Sequence, residues 1–171
     1  TGFASDVKLI YSGEFTIKVA TTEENVTDNY LSSDDVINVY ISGIDSRGGI
    51  NEVSRSDVNI IMSINKKTHN ILMINTPRDY YVPLSISNGV RDKLTHAGVY
   101  GIECSRNTLE MLYGIQIDYY VKVNFSGFEK IIDSLGGVDV TLDYSATLSQ
   151  AGNLTVHNGV NHFNGEQALA F

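Results

Sequence analysis

From Ile117 to Val140 the chain reads IDYYVKVNFSGFEKIIDSLGGVDV, and the hydrophobic period changes twice within it. IDYYVKVNF has the β-branched and aromatic content of a strand. Phe125, Phe128, Ile131, Ile132 and Leu135 then recur at helical spacing, Gly136-Gly137 stops that helix, and VDVTL (138–142) returns to a strand. A strand, a helix and a second strand in close succession predict an α/β layered fold, a mixed sheet flanked by helices.

The same grammar extends upstream. Leu109, Leu112 and Tyr113 fit a helix from about Ile102 to Tyr113, which Gly114 stops. VINVYISGID (36–45) is a largely apolar strand, close to the pattern of one covered on both faces, and Gly43 is expected to end it. DVNIIMSIN and HNILMINTP are two further strands separated by the polar turn KKT, which predicts a hairpin or close pair. From Leu84 to Lys93 the chain is a linker of mixed polarity with an Asn88-Gly89 turn signal. Residues 1–35 hold one strand-like piece, EFTIKVATT, and are expected to form an N-terminal extension packing on a main domain of residues 36–171. No internal repeat or low-complexity segment interrupts the chain.

With 171 residues, 42% of them hydrophobic, the chain suits one globular domain that needs no staples. The single Cys104 forms no internal disulfide and is expected to be an inert core thiol. No apolar run approaches the roughly 20 residues that span a bilayer. Thr1 opens no signal-peptide pattern, and GEQALAF reads as the beginning of a helix, so the natural chain is expected to extend beyond both ends.

A net charge of −8 argues against a general affinity for nucleic acid or anionic membranes. The charge is unevenly spread, however. All five arginines (Arg47, Arg55, Arg78, Arg91, Arg106) fall between positions 47 and 106, whereas the first 35 residues carry mainly acids. An acidic protein that concentrates its arginines is a candidate for binding one particular anion.

Three short motifs at expected strand ends carry that chemistry. SGIDSR supplies Asp45 and Arg47, SRSD supplies Arg55 and Asp57, and TPRD supplies Arg78 and Asp79. A polyphosphate substrate needs several fixed cations and, usually, a magnesium ion held by one or two carboxylates. Arginine gives bidentate donors to phosphate oxygens and keeps its charge. Asp45 and Asp57 converge if the strand before one lies beside the strand after the other. The plain alternative is three surface ion pairs. His69, His96, His157 and His162 show no metal-ligand spacing, and no Ser-His-Asp or Cys-His arrangement emerges.

SGIDSR, SRSDVNIIMSIN, TPRDYYVP, DKLTHAGVYG, IDYYVKVNFSGFEKIIDSLGGVDV and FNGEQALAF, in this order and spacing, resemble the blocks of the LytR-CpsA-Psr family of bacterial cell-wall proteins. The resemblance runs from about Val36 to Phe171. It implies a membrane-anchored, outward-facing phosphotransferase that moves a glycopolymer, teichoic acid-like or capsular, from a polyprenyl pyrophosphate carrier onto peptidoglycan. It also implies that the anchor lies outside this sequence and that no nucleic acid is bound. Arg55, Arg78 and Arg47 would grip the pyrophosphate, Lys93 would add a donor, and Asp45 and Asp57 would approach a Mg2+ bound to it. Asp45, Arg55 and Arg78 are the implied catalytic residues. Asp79 would orient an arginine or organise its loop, and His96 would be structural.

A hydrophobic cavity between sheet and helices would hold the lipid, with Ile102/Leu109/Leu112 and Phe125/Phe128/Ile132 either lining it or belonging to the core. In the family, the helix beginning GEQALAF continues into further arginines and a later glutamine, so the catalytic domain of residues 36–171 is expected to be truncated at its C-terminal end. The lack of an obvious nucleophile suits phosphoryl transfer, in which the acceptor hydroxyl attacks directly. Two alternatives stay open: a pyrophosphatase acting on the lipid carrier, and a non-catalytic polyprenyl-phosphate binding module.

Overall fold

The computed structural model describes residues 16–19, 34–46 and 49–171, the first four by backbone alone. Two compact units divide it, residues 1–124 and residues 125–171.

The first unit is built on a five-stranded mixed sheet of order β1-β7-β2-β3-β4. Its strands are β1 (Thr16–Val19), β2 (Val36–Ile44), β3 (Ser56–Asn65), β4 (Ile71–Asn75) and β7 (Tyr119–Val123). β3 and β4 form the hairpin expected from their polar turn. β2 lies between β3, to which it is antiparallel, and β7, to which it is parallel. That central place explains its nearly continuous apolar run. β1, inside EFTIKVATT, pairs antiparallel with β7 at the sheet edge; most of the expected extension over 1–35 lies outside the described residues.

Gly43 does not end β2. It sits inside the strand opposite Val58, whose Cβ would stand 2.8 Å from a Cβ at Gly43. Register then shifts, because Gly43 pairs with Val58 but Ile44 pairs with Ser56. Asp57 is the extra residue of that β-bulge.

The segment after β4 departs from a plain linker. β5 (Tyr81–Pro83) and β6 (Arg91–Lys93) pair antiparallel, joined by a turn in which Asn88 and Gly89 have positive φ. The short helix α1 (Leu94–Ala97) and a 3-10 turn (Gly98–Tyr100) follow. α2 (Ile102–Tyr113) has the expected bounds, and Gly114 closes it at φ 65, ψ 33, donating its N–H to Glu110.

Register sorts the sheet residues into two faces. Tyr40, Ser42, Asn59, Ile61 and Tyr120 share the face on which α1, α2 and β5 pack. Leu94, Ala97, Cys104, Leu109 and Ile117 fill the core there, with Ile102 and Leu112 against it, so this helix stripe is core. The other face carries Val39, Ile41, Ile60, Met62, Met73, Tyr119 and Val121, an almost wholly apolar set.

In the second unit, α3 (Phe125–Ser134) precedes β8 (Val138–Leu142), which pairs with β11 (Gly159–Phe163). β9 (Ala146–Leu148) and β10 (Leu154–Val156) form a separate hairpin. α4 (Gly165–Ala170) begins with a capping box between Asn164 and Gln167. The Gly165 N–H also donates to the Asp133 carboxylate at 2.7 Å, tying α4 to the end of α3.

A candidate phosphate site at the strand ends

The ends of β2 and β4 and the beginning of β3 meet at one edge of the sheet. Antiparallel pairing brings Asp45 beside Arg55, with the Asp45 N–H donating to the Arg55 carbonyl at 3.2 Å and the Ser54 hydroxyl donating to the Asp45 carbonyl at 2.6 Å. The Thr76 N–H donates to the Asn59 carbonyl at 2.8 Å, so the chain leaving β4 stays beside β3 until Pro77 turns it toward Arg78.

The first turn of α1 fixes the next step. Leu94 and Thr95 donate their N–H groups to the carbonyls of Tyr80 and Arg78, at 2.9 and 2.8 Å. These are helix N-terminal donors without an intrahelical partner, and here they hold the PRDY turn in place.

The side chains then form a ladder. Arg78 Nη1 lies 3.2 Å from Asp57 Oδ2, and Arg78 Nε lies 3.6 Å from Asp79 Oδ2. Lys93 Nζ stands 2.7 Å from Asp79 Oδ1. The buried Thr95 donates its hydroxyl to Asp57 Oδ1 at 3.2 Å. Both Asp57 oxygens are therefore engaged, and the bulge is what turns this carboxylate toward the arginine. Asp57 is 28% exposed and Arg78 55%, so the ladder lines a wet surface and not a core. Hydrogen bonding from Lys93, reinforced by the charges of Lys93 and Arg78, holds the Asp79 carboxyl below its usual range.

Thr95 is the member that sequence reasoning missed. A threonine inside KLTHA carries no chemical signal of its own, and only the fold places its hydroxyl on Asp57. His96 Nδ1 sits 2.9 Å from Asp92 Oδ1, outside the ladder. Arg55 is exposed and makes no ion pair among the described residues. Asp45 is also exposed. Arg47 lies outside the described residues.

The described site thus contains three cations, Arg55, Arg78 and Lys93, and three carboxylates, Asp45, Asp57 and Asp79. Their formal charges cancel. No group of three or more metal-ligating side chains occurs among the described residues. Magnesium does not require one, since it ordinarily takes one or two carboxylates and completes its octahedron with phosphate oxygens and water. Asp57, whose two oxygens already accept from Arg78 and Thr95, and the exposed Asp45 are the two carboxylates that would hold such an ion.

The sequence model of the LytR_cpsA_psr family matches residues 8–171. The chain belongs to the LytR_cpsA_psr family. The match begins upstream of the blocks that first suggested it and takes in β1. Polyisoprenyl-teichoic acid–peptidoglycan teichoic acid transferase TagU of Bacillus cereus (strain AH820) is 34% identical over 142 residues, covering 82% of this chain and 45% of the relative. The chain therefore spans less than half the length of that family member.

Solved structures agree in fold. B. subtilis TagV superposes with a TM-score of 0.72 at 29% identity, over 82% of this chain and 56% of that one. The family protein YwtF (TagT) with bound octaprenyl pyrophosphate lipid gives a TM-score of 0.70 at 30% identity, over 93% of this chain and 62% of that one. No helix of the described residues is long and apolar enough to cross a membrane.

Proposed function

We propose that this domain binds a polyprenyl pyrophosphate-linked glycopolymer and transfers the polymer to a peptidoglycan hydroxyl. The observation that carries the proposal is the ladder Lys93–Asp79–Arg78–Asp57–Thr95, which presents arginine and lysine at the strand ends of a sheet with one apolar face. The family relatives lend it chemistry, since one is named a teichoic acid transferase and another holds octaprenyl pyrophosphate.

In this reading the apolar sheet face, with Val39, Ile41, Ile60 and Val121, forms a wall of the lipid cavity. Arg55, Arg78 and Lys93 contact the pyrophosphate, with Arg47 as a further donor. Asp79 pairs with both Arg78 and Lys93 and so holds the two cations on one carboxylate. Because formal charges at the described site cancel, an incoming pyrophosphate brings negative charge that the three cations, two of them already paired with carboxylates, do not fully balance. Mg2+ held by Asp57 and Asp45 would supply the missing positive charge to the phosphate oxygens.

The bond made joins the acceptor oxygen to the phosphorus that carries the sugar. The bond broken is that phosphorus to the bridging oxygen, polyprenyl phosphate leaves, and the acceptor proton passes to solvent or a base. The protein's contribution is orientation and charge stabilisation, so no protein nucleophile is required. Such an enzyme works on the cell-wall side of the cytoplasmic membrane.

Native mass spectrometry with octaprenyl pyrophosphate tests the binding half of the proposal. A one-to-one complex with the wild-type chain that disappears in the Arg55→Ala/Arg78→Ala double variant is expected. Equal binding by both proteins would remove the phosphate site from these residues.

A further inference from the structure

A cleft of about 330 Å³ lies beside the ladder, between the β5–β6 hairpin and α2. The hairpin wall includes Tyr81, Pro83 and Arg91 together with the edge of the buried Val82, and Met111 and Leu112 contribute to the α2 wall. Its volume falls at the lower end of the range for small-ligand sites.

Hairpin register connects it to the cations. Tyr81 is directly opposite Lys93, and Pro83 is directly opposite Arg91. Directly opposed residues project from the same face, their Cβ atoms about 4.5–5.5 Å apart. Tyr81, Pro83, Arg91 and Lys93 therefore share one face, while Val82 and Asp92 lie on the other, where Val82 is buried. That shared face runs from the Lys93–Asp79 pair at one end to Arg91 at the other.

Two features mark this face as built for a ligand. Tyr81 is 61% exposed and Tyr80 51%, although the hairpin has a core into which tyrosines could pack. Arg91 donates Nη1 to the Tyr81 backbone carbonyl at 3.1 Å, which fixes its guanidinium on the hairpin, yet it has no acidic partner among the described residues. The neighbouring Asp92 is instead occupied with His96. An aromatic plate joined to an uncompensated guanidinium matches a sugar ring bearing an anionic substituent: the ring's C–H face lies on the tyrosine, and a carboxylate or phosphate meets the arginine.

We infer that this cleft is an acidic-saccharide subsite, with Tyr81 as the stacking surface and Arg91 as the anion contact. The inference rests on the phosphate-site reading above, because the shared hairpin face leads a sugar away from Lys93. The saccharide comes either from the acceptor glycan, whose attached peptide stems carry carboxylates, or from the phosphate-bearing donor polymer.

Calorimetry on the folded chain distinguishes these sources. Two probes are used: lysozyme-solubilised peptidoglycan fragments, and polyprenyl pyrophosphate with and without its sugars. Loss of the stack or the anion contact is expected to weaken saccharide binding about tenfold in Tyr81→Ala and in Arg91→Gln, and Tyr81→Phe is expected to retain it. An effect on the peptidoglycan fragments assigns the cleft to the acceptor. An effect on the sugar-bearing carrier alone assigns it to the donor. Unchanged affinity for both probes in folded Tyr81→Ala and Arg91→Gln would overturn the inference. Arg78→Ala against sugar-free polyprenyl pyrophosphate reports separately on the phosphate site, so the failure of one is not read as the failure of the other.

Discussion

Replacing Arg78 with alanine separates a ligand-binding arginine from a structural ion pair. In the fold, Arg78 meets Asp57 at 3.2 Å and Asp79 at 3.6 Å, and its side chain is 55% exposed. Exposed pairs of this kind contribute at most about 1 kcal/mol each. The substitution also leaves Asp57 with Thr95 and Asp79 with Lys93, so neither carboxylate loses all its partners. For a chain of this size about 1 kcal/mol corresponds to roughly 2–4 °C in Tm, so the loss of both pairs should lower Tm by no more than roughly 4–8 °C. Binding should respond differently. A charge-assisted contact to pyrophosphate is worth about 1.5–3 kcal/mol, which corresponds to about a ten- to hundredfold loss of affinity for polyprenyl pyrophosphate. Arg78→Lys should fall between the two, keeping the charge but not the two-pronged donor geometry. Calorimetric titration and a thermal melt on the same sample supply both numbers. Wild-type affinity in a folded Arg78→Ala protein would refute the phosphate assignment, and a large fall in Tm with unchanged affinity would make Arg78 a structural residue.

Asp45→Asn and Asp57→Asn should each raise the Mg2+ concentration that gives half-maximal transfer, and the double variant should be little worse than either single one, because both act on one ion; additive losses in a metal titration would give the two carboxylates separate roles. Gly98→Ala should destabilise the fold by about 1–3 kcal/mol in a denaturant melt, since a Cβ there would stand 2.6 Å from both the Ser54 carbonyl and the Ser56 nitrogen, beside Arg55; an unchanged midpoint would mean that the backbone yields freely. Burial pushes the Tyr40 hydroxyl above its ordinary pKa. The unfolded chain therefore releases that proton first, and stability present below about pH 10 should fall as pH rises beyond it, which melts across pH 8–11 check by comparison with Tyr40→Phe.

The sequence revealed the fold wherever an element was long enough to repeat its period. α2 could be read to its last residue because the apolar spacing ended at a glycine able to adopt positive φ. The β3–β4 hairpin followed from two apolar runs around a polar turn. β5 and β6 were hidden because three residues cannot establish alternation and β5 contains Pro83. The short strands β9 and β10 escaped for the same reason of length.

The candidate site was legible as residue types but not as partnerships. The sequence offered Arg78, Asp57, Asp79 and Lys93 as charges at strand ends. That Asp57 faces Arg78 depends on a bulge, and Gly43 looked like a strand stop because the pairing that accommodates Val58 against it is a tertiary fact. Thr95 reaches Asp57 only because a four-residue helix docks its first turn on the PRDY carbonyls.

Product analysis tests the central claim most directly. Polyprenyl pyrophosphate-linked glycopolymer, Mg2+ and peptidoglycan fragments are incubated with the protein and the phosphorus-containing products identified by mass spectrometry. Transfer predicts polyprenyl monophosphate together with polymer joined to the fragments through a phosphodiester, neither appearing without the acceptor. Polyprenyl monophosphate and free polymer phosphate formed equally with or without peptidoglycan would contradict transfer and make water the acceptor, and a bound but unchanged carrier would leave a binding module in its place.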